Sequence, residues 1–165
     1  MPVQPLSQKE LGTAPDGHSN NAIPKSALLL GVAGFLPFAV FCIAVILAPP
    51  RYVIEAQFAL NFYGAVILSF MGGIHWGLEM ARQKENEDAP ALGALTLSVL
   101  PSLAAWASLA LPVRFGSAAL AVFFALTLAY DLSCAKSGRT PPWYPKLRIP
   151  LTVAVCVALL LPSLF

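Results

Sequence analysis

Charged side chains are scarce: Asp, Glu, Lys and Arg make up only 11% of the 165 residues, against 58% hydrophobic ones. A soluble domain carries about 25% charged residues, so the deficit points away from an ordinary water-soluble fold and towards an integral membrane protein. The net charge of +2 is too small to argue for nucleic acid, and the basic residues are not interleaved with aromatics. Cysteine is sparse too. Cys42, Cys134 and Cys156 show no CxxC or other metal spacing; they read as small buried hydrophobes and not as a disulfide framework. Histidine is scarcer still, with His18 in a polar stretch and His75 in an apolar one, which leaves no second in-span histidine for bis-His haem ligation. No HExxH, nucleophile motif or phosphate-cradling glycine loop occurs, so no cofactor and no catalytic residue is expected. Residues 1–24 lack the apolar core of a signal peptide and the Arg-rich pattern of a transit peptide. Their Pro, Gly, Ser, Asn and Gln read as a disordered polar tail.

What the chain does have is five apolar runs of membrane length. An all-α integral membrane bundle is expected over residues 25–165, with five transmembrane helices at about 26–48, 55–82, 89–111, 113–134 and 149–165. The second run holds 23 residues without formal charge between Glu55 and Glu79, enough to cross a hydrocarbon core of roughly 30 Å. The last run is short but at 1.5 Å per residue still nearly spans. Pro37 and Pro101 should kink the first and third helices. An odd number of spans makes orientation testable. The side that receives the N-terminal tail also receives Lys9, Lys25, Arg82, Lys84, Lys136, Arg139, Lys146 and Arg148, whereas the other receives Arg51 and Arg114. Eight cations against two predict a cytoplasmic N-terminus and a periplasmic C-terminus, in a bacterial inner membrane or, as the second choice, a mitochondrial one.

The second run also carries the strongest polar signal. At 100° per residue Asn61 and Glu79 are five full turns apart and share one azimuth, with Ala65, Leu68, Gly72 and His75 close to the same line. Ionisable groups at membrane depth are costly, so such a stripe marks a buried seam or a site. Gly64, Gly72 and the pair Gly73-x-x-x-Gly77 are expected to admit a neighbouring helix closely. Asp131 ends the apolar part of the fourth run at the level of His75 and Glu79, with Arg148 or Arg139 as counter-charges. His75 and Glu79 at i,i+4 have the spacing of a hydrogen-bonded pair or of two metal ligands; whether a metal is held stays open. The loop around Trp143 and Tyr144 is rigid, basic and aromatic, and reads as an interface anchor or a docking surface for a partner.

Two stretches resemble a known family. Phe62-Tyr-Gly-Ala-Val-Ile-Leu-Ser-Phe-Met-Gly-Gly-Ile-His-Trp-Gly77 is similar to the signature helix of the membrane family called domain of unknown function 3429. Ala129-Tyr-Asp-Leu132, followed by Pro142-Trp-Tyr-x-x-Leu-Arg-x-x-Leu-Thr152, is similar to its second motif. The resemblance covers about residues 25–165. It implies a multi-pass inner-membrane protein without an assigned activity, like the bacterial and animal mitochondrial members of the family. Its motif positions here are Gly64, Gly72, Gly73, His75, Trp76, Gly77, Asp131, Trp143, Tyr144 and Arg148.

Two classes of function follow. The first is a non-enzymatic accessory or assembly protein of an inner-membrane complex, surrounded by lipid and in contact with another membrane protein or a second copy. The second is a small permease or proton- or metal-handling protein that uses Asn61, His75, Glu79 and Asp131. Five spans enclose little interior, so the transport reading would need an oligomer or a partner.

Overall fold

Prolines set most of the helix boundaries. The computed structural model describes residues 22–85 and 91–164, and their regular elements are all helical. These are α1 (Lys25–Leu47), α2 (Val53–Glu85), α3 (Ala91–Leu109), α4 (Val113–Lys136) and α5 (Tyr144–Leu160). Most of the expected polar tail, with His18, and the acidic connector at 86–88 lie outside the described residues. Pro24 and Pro112 stand immediately before α1 and α4, where a missing N–H interrupts no helical bond. Ala48 turns extended ahead of Pro49, as the residue before a proline tends to do, and a single turn at Pro50–Tyr52 leads into α2. Gly138 closes α4 with φ +70°. Its N–H donates to Ala135 O at 3.1 Å and that of Arg139 to Cys134 O at 3.0 Å, a left-handed cap that suits glycine.

α5 departs from the sequence expectation. It begins at Tyr144, five residues ahead of Ile149, and ends at Leu160 with a tight turn at Leu161–Leu164. The cause is Pro145 in its first turn, where the fixed φ favours a helix start; an apolar run does not reveal that. Trp143 therefore stands at the N-cap and Tyr144 is the first helical residue, not a loop residue. Arg148 comes to lie on a helix and its side chain points inward, 7% exposed.

α2 is central, packed most extensively on α3 and also on α1 and α4, while α5 joins α4 to α1. The core combines Phe38 of α1, Leu60 and Leu68 of α2, Leu120 and Phe124 of α4, and Leu159 of α5. Phe38 meets Phe124 edge-on at 6.1 Å and Tyr63 at 4.9 Å. The Tyr63 hydroxyl donates to Gly34 O at 2.8 Å, which satisfies a polar group inside an apolar layer. Outside the core the surface stays apolar, with Leu29, Leu47, Phe70, Trp106 and Phe115 all exposed. Three helices, Lys25–Leu47, Pro50–Arg82 and Val113–Lys136, are long and apolar enough to cross a membrane. Such a surface is unfavourable in water and suits a bilayer.

Candidate functional site

The stripe on α2 is its buried face. Asn61, Ala65, Leu68, Gly72, His75 and Glu79 are all buried, while Phe62, Val66, Phe70 and Trp76 between them face outward. The polar members belong to two clusters and not to one. Asn61 and His75 are 14 residues apart, about 21 Å along the helix.

At the first end, Asn61 Nδ2 donates to Val113 O at 2.8 Å, and Ser117 Oγ donates to Asn61 Oδ1 at 2.7 Å. Gln57 Nε2 donates in turn to Ser117 Oγ at 2.7 Å. Gly116 permits the assembly, because a Cβ there would come within 2.7 Å of Ser108 O. Gln57 lies about one turn before Asn61 and within about 40° of its azimuth, so extending the stripe would have found it. Ser117 carries no comparable sequence signal. The hydrogen-bonded side chains tie α2 to the start of α4. Asn61→Ala is expected to cost about 1 kcal/mol, the scale of interhelical hydrogen bonds in lipid, as read from unfolding in detergent.

At the other end, Asp131 of α4 is the centre, 1% exposed. Its Oδ2 accepts a hydrogen bond from Arg148 Nε of α5 at 2.7 Å. His75 Nε2 of α2 lies 2.8 Å from Oδ1, a close but oblique contact that leaves Oδ1 without an aligned hydrogen bond. Tyr130 packs edge-on against the His75 ring at 4.8 Å and 73°. The preceding residue thus supports the imidazole, a role that the sequence reading missed. One carboxylate in this way ties together three helices.

Glu79 has a separate arrangement. Arg82, one turn on, forks its carboxylate with Nη2 to Oε1 at 2.7 Å and Nε to Oε2 at 3.1 Å. Arg139, the other expected counter-charge, is exposed and lines a polar pocket of about 370 Å³ with His75, Glu79 and Arg82. Among the described residues no three His, Cys, Asp or Glu side chains are grouped as a metal would need. Arg148 already supplies a positive charge beside Asp131.

The glycines divide. A Cβ on Gly72 would stand 2.5 Å from Ser98 O, so α3 comes very close there. Gly64 is packed at ordinary contact distance against Leu120, Leu159 and Phe38. Gly73 and Gly77 face away from the other helices of this chain: both are exposed, and a Cβ on either would meet nothing within 4 Å. Successive residues turn by 100°, which carries Gly73 off the buried line that includes Gly72. Trp143 and Tyr144 are half-buried, their rings 6.1 Å apart.

Residues 23–164 match the family described as protein of unknown function (DUF3429). The chain belongs to this family. The DUF3429 match takes in α1 to α5 and both polar clusters. Transmembrane protein 69 of Xenopus tropicalis is 38% identical over 137 residues, covering 82% of this chain and 53% of the relative. Transmembrane protein 69 of Mus musculus is 27% identical over 135 residues, covering 82% and 54%. The chain thus spans about half the length of these curated relatives. No solved structure matches it. Together with its apolar helices, these relatives identify this DUF3429 chain as a membrane protein in contact with lipid.

Proposed function

We propose that this chain is a non-enzymatic accessory or assembly protein of an inner-membrane complex. All five helices cross the bilayer in this reading. α3 has 19 residues and α5 has 17, about 29 and 26 Å at 1.5 Å per residue and close to a hydrocarbon core of roughly 30 Å. The bias of eight cations against two supports an inner, cytoplasmic N-terminus and an outer C-terminus. The bacterial inner membrane is the setting we favour over the mitochondrial one.

The observation that carries the functional reading is the sealed interior. Leu68, Leu120 and Phe124, at 0%, 0% and 1% exposure, separate the Asn61 cluster from the Asp131 cluster. The described residues of a single copy therefore offer ions no continuous polar path, which counts against the permease reading. Its polar side chains tie helices together instead. The outward Gly73-x-x-x-Gly77 edge gives a second helix room to approach.

The test is purification of the tagged full chain from native membranes in mild detergent. At least one membrane protein is expected to co-purify reproducibly and to be lost with Gly73→Leu/Gly77→Leu, at unchanged yield of folded chain. Recovery of this chain alone would overturn the reading.

A further inference from the structure

A cleft of about 550 Å³ lies between α3 and α4, walled by Leu100, Leu103 and Ala104 on one side and Phe123 and Leu126 on the other. Leu103 and Leu126 are 56% and 58% exposed, so the cleft opens sideways, towards lipid. Its lining includes one imidazole: His75, 7% exposed. The same His75 lines the polar pocket with Glu79, Arg82 and Arg139. It thus stands where an apolar cleft and a polar pocket meet.

We propose that this cleft binds a lipid-soluble quinol, with a ring hydroxyl donating to His75 Nδ1 and the isoprenoid tail leaving between Leu103 and Leu126. The ring nitrogens decide the polarity of the head. Nε2 faces the Asp131 carboxylate at 2.8 Å; a proton held there leaves Nδ1 as an acceptor. A hydroxyl donor complements it. The charges decide against an anionic head. Among the described residues, the cleft's own lining includes no Lys or Arg. Asp131 is paired with Arg148 and Glu79 with Arg82, and Arg139 lies in the neighbouring polar pocket. A fatty-acid carboxylate or lipid phosphate buried in the cleft would therefore meet no cation there and be costly. A bare acyl chain would fill the apolar length but leave the imidazole unanswered. A flat ring also has aromatic walls to pack on, Phe123 and Tyr130. The proposal concerns binding, and it does not depend on the accessory role because no partner is required.

The full chain in lipid nanodiscs, titrated calorimetrically with decylubiquinol under anaerobic conditions, tests this. Saturable binding is expected, weakened at least ten-fold by Ala107→Trp, which narrows the cleft from its lining. His75→Phe is expected to weaken it similarly. Since His75→Phe also disturbs Asp131, Ala107→Trp with an unchanged melting temperature is the cleaner variant. Decylbenzene, which keeps chain and ring but lacks the hydroxyl, should bind at least ten-fold more weakly. Absence of saturable binding, binding indifferent to Ala107→Trp, or equal binding of decylbenzene would each overturn the proposal.

Discussion

Asp131→Ala is expected to lower the unfolding free energy by about 3–5 kcal/mol, the scale for removing one partner of a buried ion pair. The carboxylate accepts from Arg148 at 2.7 Å and faces His75 at 2.8 Å. Its loss strands a guanidinium that is 7% exposed and whose Nη2 already lacks a hydrogen-bond partner. The penalty therefore comes from the cation left behind more than from the bond removed. Asp131→Ala/Arg148→Met should recover a large part of the loss, because both charges then go together. Denaturant unfolding of the detergent-solubilised chain measures both variants. A single substitution costing under about 1 kcal/mol, within the range of an exposed pair, would mean that Arg148 escapes to water or head groups and that the cluster is not sealed.

Gly72→Ala and Gly73→Ala, neighbours in sequence, are expected to move stability in opposite directions. At Gly72 the new methyl would stand 2.5 Å from Ser98 O and 3.4 Å from Ser102 Oγ. The nearer atom belongs to the backbone of α3, so relief requires the two helices to part. That overpacking should cost about 1–3 kcal/mol. At Gly73 the methyl meets nothing within 4 Å, and alanine is the better helix former by about 1 kcal/mol. The same unfolding experiment compares them directly. Equal effects would show that α2 and α3 are not this close.

Much of the polar stripe was legible before the structure. Asn61, His75 and Glu79 share an azimuth because 18 residues make five helical turns, and the structure buries all three. Asp131 and Arg148 were legible for another reason. Few charges occur beside apolar runs, and those few need partners. The same reasoning grouped Glu79 with Asp131, whereas Arg82, one turn along its own helix, forks its carboxylate. It also set Gly72, Gly73 and Gly77 side by side, whereas of these three only Gly72 meets another helix of this chain. Spacing along one helix names a face without naming what lies against it.

By itself the sequence determined the membrane class and the apolar runs, because a bilayer tolerates few charges over some 20 residues. It also determined which face of α2 turns inward, since that depends only on helical periodicity. The tertiary structure alone decided that the polar groups form two clusters kept apart by Leu68, Leu120 and Phe124. It alone started α5 early enough to bring Arg148 onto Asp131, and left an apolar cleft reaching His75. These depend on how the helices are set against one another, which is fixed by the fit of side chains from several helices at once and by no periodicity within one of them.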